Sequence, residues 1–92
     1  MVLKTKAIRT SLASKGFVED RTGHHIWFRF YVDEKKTKYR TKLSHGDKEI
    51  GDPLIKSMAR QLDISHDQFA GIVSCTVSAS EVQQIYREKL GH

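Results

Sequence analysis

The chain has 92 residues, 38% of them apolar and 9% aromatic, which suits one domain with a single core and excludes two. Lys and Arg outnumber Asp and Glu by 16 to 11, a net charge of +5, and such a basic balance favours polyanions as partners. A lone cysteine, Cys75, excludes an internal disulfide framework and a multi-cysteine zinc site, and no apolar run nears the roughly 20 residues that span a bilayer. With a start, Met1-Val2-Leu3-Lys4, that lacks the pattern of a secretory signal, a soluble cytoplasmic protein with no membrane partner is expected. Residues 1–60 carry a net +7 and residues 61–92 a net −2, so a polyanion would meet the first two thirds of the chain.

Ile8 and Leu12, four apart with Ala7 beside them, predict a short helix over 4–15, with Lys4, Arg9 and Lys15 on its outward face. Gly16 is its left-handed stop. From Phe17 the period changes to two. Residues 17–21 read as a strand, Thr22-Gly23 as a turn, and 25–32 as a long strand rich in aromatic and β-branched residues. Alternation puts Ile26, Phe28, Phe30 and Val32 on a core face. His25, Trp27, Arg29 and Tyr31 fall on the other face, a set suited to contacting nucleic acid. After a polar turn over 33–36, residues 37–43 form a third strand with Tyr39, Thr41 and Leu43 inward and Lys38, Arg40 and Lys42 outward.

A loop over 44–51 leads to Asp52 as N-cap and Pro53 as first helical residue, and Leu54, Ile55, Met58 and Leu62 give a second helix over 53–62 an apolar stripe. Ser65-His66-Asp67-Gln68 and Ser78-Ala79-Ser80-Glu81 match the capping-box pattern. They predict a short helix over 67–73 and a terminal one over 79–90, the latter turning Val82, Ile85 and Leu90 inward. Ser74 to Val77 links the two. The expected fold is α+β, a three-stranded antiparallel sheet with two helices on one face (α-β-β-β-α), and residues 65–92 as a helical extension packed on a core over 1–64 in a single domain.

Gly16-Phe17-Val18, Gly23-His24-His25-Ile26-Trp27, His45-Gly46, Lys48-Glu49-Ile50 and the stretch from Leu54 to Ser65, read together in this order, resemble the HicA toxin family over about residues 5 to 66. The resemblance implies a fold like the double-stranded-RNA-binding domain. It also implies a metal-independent endoribonuclease (an mRNA interferase) of a type II toxin–antitoxin pair, partnered by mRNA and by a cognate HicB-like antitoxin. Its pattern puts the catalytic histidine immediately before an aliphatic residue, which is His25 before Ile26, and its later histidine falls on His45. Two positions depart from it: Thr22 stands where a glycine is usual, with Gly23 one place later, and no proline precedes His45. Residues 65–92 lie outside it.

An imidazole suits the removal of a proton from a ribose 2′-hydroxyl, and Lys38, Arg40 and Lys42 could stabilise charge on phosphorus. The bland reading of His25 is a sheet residue at a turn. His45 fits a second acid/base group, a phosphate contact or a strand-end cap equally. Trp27 and Tyr31 could stack bases, or be covered by the tail if residues 65–92 fold over that face. The run from Lys35 to Lys42 fits phosphate contacts, its bland counterpart being a solvated hairpin. His24 points away from His25 and no third ligand is suitably spaced, so no metal site is expected, and no phosphate loop, carboxylate pair or nucleophile elbow calls for a cofactor. Cys75 is expected to be a small buried hydrophobe. The alternative function is a non-catalytic RNA-binding module on the same fold. A third possibility is a small protein-interaction domain that uses the acidic tail.

Overall fold

The strictly alternating burial from His25 to Val32 makes that segment the centre of the molecule. The computed structural model describes residues 2–44 and 46–91. In chain order its elements are β1 (Val2–Lys4), α1 (Thr5–Ser14), β2 (Phe17–Thr22), β3 (His25–Val32), β4 (Lys35–Ser44), β5 (Glu49–Gly51), α2 (Asp52–Gln61), α3 (His66–Val73) and α4 (Ala79–Lys89). The fold is α+β, with an antiparallel sheet ordered β2-β3-β4 and four helices. Among the described residues, no helix is long and apolar enough to cross a membrane.

Both hairpins are tighter than their sequences predict. Thr22 pairs with His25, so it belongs to β2 and the turn is Gly23-His24. Gly23 takes φ +63° at the first central position, where a two-residue hairpin loop of the II′ kind needs a positive angle. The second turn is Asp33-Glu34, both with positive φ (50° and 67°) as a type I′ turn demands, and β4 therefore starts at Lys35. Between the Arg29–Arg40 and Tyr31–Lys36 pairs the register shifts, leaving Phe30 across from Thr37, Lys38 and Tyr39. The Thr37 hydroxyl donates to the Phe30 carbonyl at 2.7 Å and accepts from the Tyr39 amide at 3.2 Å, while Arg29 Nη1 donates to the Thr37 carbonyl at 2.9 Å. These bonds serve backbone groups that the bulge removes from the ladder.

The core lies on one side of the sheet. Ile26, Phe28, Phe30 and Val32 of β3 and Tyr39, Thr41 and Leu43 of β4 are buried against Ile8 and Leu12 of α1 and Ile55, Met58 and Ala59 of α2. Residues 65–92 pack there as well, through Phe69, Ile72 and Val82, and above all through Tyr86. The Tyr86 ring lies 4.5 Å from that of Phe30, 4.7 Å from Tyr39 and 6.2 Å from Phe17, and its hydroxyl donates to the Leu62 carbonyl at 2.8 Å. Both capping boxes form as expected, Ser65 with Gln68 and Ser78 with Glu81.

Several expectations are corrected by tertiary contacts. The predicted loop over 44–51 ends in β5, which pairs antiparallel with β1 and sets Ile50 opposite Leu3. The N-cap of α2 is Gly51, with Asp52 and Pro53 inside the first turn, and Leu54 is half exposed because it flanks the buried stripe of Ile55, Met58 and Ala59. Ile85 and Leu90 are only partly buried, since α4 directs Val82 and Tyr86 inward. Lys15, expected to face outward, is 7% exposed and donates to the carbonyls of Ile72 and Val77. Cys75 is exposed in the turn after α3, with φ +65°.

Candidate nucleic-acid interface and the His25 hollow

All four helices sit on the core side, so the other sheet face is left to solvent and the tail does not cover it. Strand register arranges that face in rows. Thr22, His25 and Ser44 form the first, Asp20, Trp27 and Lys42 the second, and Val18, Arg29 and Arg40 the third; beyond the bulge Tyr31 pairs with Lys36. His25, Trp27, Arg29 and Tyr31 are each half-buried, whereas Lys36, Arg40 and Lys42 are exposed. A groove of about 350 Å³ runs across it between Val18, Asp20 and Thr22 on one side and Lys36 and Arg40 on the other, floored by Trp27, Arg29 and Tyr31.

Trp27 anchors the cations. The Arg40 guanidinium lies 4.9 Å from the indole centroid and the Lys42 ammonium 5.5 Å, each within cation–π range. Trp27 is therefore more than a bare stacking surface, because the indole also holds two charges over the sheet. Arg29 lines the groove, but its guanidinium is bonded to the bulge, so it acts partly as a brace. Lys38 parts from the other cations. The bulge turns its ammonium to 5.5 Å from the Tyr39 ring, and it lines a separate hollow with Val32 and Leu90. Lys36, expected in a turn, stands in the groove instead. Only the bulge brings it there, and alternation carries no signal of a bulge.

His25 closes one end of this face. Its ring lies edge-on to Trp27, with centroids 6.4 Å apart. Its Nδ1 is buried and has no hydrogen-bond partner among the described residues. It lines a hollow of about 110 Å³ between the end of β4 and α2, together with Lys42, Ser44, Asp47, Ser57 and Gln61. His24 is exposed in the turn. His45 lies outside the described residues. Among the described residues no group of three or more His, Cys, Asp or Glu side chains is placed to hold a metal ion.

The arrangement brings one imidazole, one adjacent ammonium and a row of cations onto a single open surface. Such a surface can neutralise phosphates and engage bases, and its histidine can move a proton at one end. Comparison with protein-family models, with curated proteins and with solved structures yields no significant match.

Proposed function

We propose that this protein is an RNA-cleaving toxin of a toxin–antitoxin pair, in which the open sheet face holds single-stranded RNA and His25 is the general acid/base. The observation that carries the reading is the continuity of His25 and Lys42 with the Trp27–Arg40–Lys36 groove on one uncovered face. The resemblance of residues 5 to 66 to HicA toxins supports it from the sequence side. In the reaction, His25 removes the 2′-hydroxyl proton, the 2′-oxygen bonds to phosphorus, the bond from phosphorus to the 5′-oxygen breaks, and the imidazolium returns the proton to that oxygen. The products are a 2′,3′-cyclic phosphate and a 5′-hydroxyl. Lys42 stabilises the added negative charge on phosphorus. An unrestrained enzyme of this kind harms its own cell, so a HicB-like antitoxin that covers His25 is part of the proposal.

One observation favours a second reading, an RNA-binding module without catalysis. A histidine base is ordinarily oriented through its second ring nitrogen, and Nδ1 of His25 has no partner among the described residues. The two readings separate in one assay. Wild type and His25→Ala are incubated with single-stranded RNA without added metal, and binding is measured in parallel against salt. Cyclic-phosphate ends that vanish in His25→Ala support the nuclease. Salt-dependent binding without product rejects it in favour of the binding module, and absence of binding at low salt rejects both. Arg40→Gln and Lys42→Gln should each lower the slope of log affinity against log salt by roughly 0.7 for every phosphate that the variant no longer neutralises.

A further inference from the structure

The hollow at His25 has a second wall that the proposed reaction leaves without a role. Thr41 of β4 is fully buried, and its hydroxyl donates to Gln61 Oε1 at the end of α2 over 2.6 Å. A buried hydroxyl with a single strong acceptor fixes that acceptor, because releasing it would leave a polar group unpaired in the core. With Oε1 accepting from Thr41, Gln61, which lines the hollow, keeps its Nε2 donors for a ligand. The amide is thus held as a pre-oriented donor beside an imidazole whose Nδ1 is buried and has no partner among the described residues.

The lining points to the kind of ligand. Leu43, Leu54 and Met58 supply apolar walls, Gln61 a donor, and Asp47 a carboxylate acceptor. A phosphate would be drawn to Lys42 but opposed by Asp47, and it would gain little from the apolar walls. A planar base needs apolar contact on its faces and both donor and acceptor partners at its edge. The volume of about 110 Å³ is well below the ~300–1,000 Å³ of a site for a drug-sized ligand, and it limits the occupant to one small ring system.

We propose that this hollow seats one nucleobase of the bound RNA next to the bond on which His25 acts, and that Gln61, held by Thr41, reads its edge. The placement next to the scissile bond rests on the nuclease reading above; the base seat itself needs only RNA binding. Gln61 contacts the base, and Thr41 is a positioning residue that acts through it.

The test has two arms on the full chain. In the first, a 2′-O-methyl oligoribonucleotide, which cannot be cut, is titrated into ¹⁵N-labelled protein. The Gln61 side-chain amide signals should shift together with the Trp27 indole N–H; a Trp27 shift with Gln61 unmoved overturns the base seat while RNA binding stands. In the second, RNAs that differ only in the base at the cut site are compared. Gln61→Glu, which replaces the donor by an acceptor, should change base preference by about tenfold or more. Thr41→Val should blunt the preference and Thr41→Ser restore it, with the salt slope unchanged in both threonine variants. Cleavage whose preference ignores Gln61→Glu overturns the inference and leaves the nuclease intact. If wild type binds but does not cut, the nuclease reading fails and the first arm alone decides the base seat.

Discussion

Lys15 Nζ donates to the Val77 carbonyl at 2.7 Å, from a side chain that is 7% exposed. The same ammonium donates to the Ile72 carbonyl at 3.0 Å, and Ser11, one turn earlier on α1, donates to the Val73 carbonyl at 2.8 Å. Ile72 and Val73 close α3, whose last carbonyls carry its negative dipole end, so a buried cation is favoured there; Val77 lies in the link beyond it. Its charge alone would turn Lys15 to solvent, but it stands seven residues after Ile8 on the buried face that also holds Ser11 and Leu12, and with Ser11 it attaches the C-terminal third to α1.

Replacement of Lys15 by Met keeps most of the stem and removes the donor. The expected cost is about 2–3 kcal/mol, the range for losing hydrogen bonds made by a charged group. Urea unfolding of the variant would measure it. RNA affinity of the folded fraction should stay at the wild-type level, because Lys15 is on the helical side of the sheet. A loss within about 0.5 kcal/mol would mean that water replaces the ammonium without penalty.

Tyr86 is the corresponding anchor at the other end of the extension. Its Phe variant keeps the ring contacts with Phe30 and Tyr39 and should cost about 1 kcal/mol, whereas Tyr86→Ala opens the core and should cost about 3–5 kcal/mol. Burial, reinforced by Tyr39 and Asp63, pushes the Tyr86 hydroxyl well above its ordinary pKa. A raised folded value contributes stability that is complete below the unfolded tyrosine pKa of about 10 and is lost as pH climbs beyond it. Wild type should therefore lose stability above that pH more steeply than Tyr86→Phe. A chain ending at Ile64 would expose Phe17, Phe30 and Tyr39, and should fail to give a cooperative thermal transition.

Glu19 of β2 bonds in a two-pronged pair to Arg9 of α1, Nε to Oε1 at 2.8 Å and Nη2 to Oε2 at 3.0 Å. The hydrogen bond from Arg9 holds the Glu19 carboxyl below its ordinary pKa, against a smaller opposing effect of burial. A depressed folded value gives stability that is present above the unfolded pKa of about 4.3 and lost as pH falls through the folded value. The pair is largely solvated, so its worth at neutral pH should be under about 1 kcal/mol. The stability gap between wild type and Glu19→Gln should hold from about pH 7 to about 5 and close on further acidification. A gap that widens in acid would contradict the assignment.

The parts of the fold legible in the sequence are those with a local cause. The two faces of β3 follow from alternation, and both capping boxes from a Ser three residues before Gln68 and Glu81. The apolar stripe of α2 follows from Ile55, Met58 and Leu62 at helical spacing. The candidate site is legible to the same extent: His25, Trp27, Arg29 and Tyr31 share a face because their spacing is two. Lys36 and Lys38 exchange places because a bulge between Arg29 and Tyr31 interrupts β4, and nothing in a run of alternating lysines announces it. Thr41 and Gln61 carry no signal of their own, since each reads locally as an ordinary strand or helix position. Their pairing exists only once α2 lies under β4.

By itself, then, the sequence determined the order of the main helices and strands, the sides of each strand, and a basic first two thirds with a slightly acidic remainder. Those properties arise from side chains at spacings of two to four residues, where backbone geometry alone decides who shares a face. Tertiary structure decided which face the last third covers, that Lys15 and Tyr86 hold it there, that β1 and β5 pair, and that Gln61 meets His25 in one hollow. Each of these is a contact between groups far apart in the chain, chosen by burial and by the pairing of polar groups that only the folded state brings within reach.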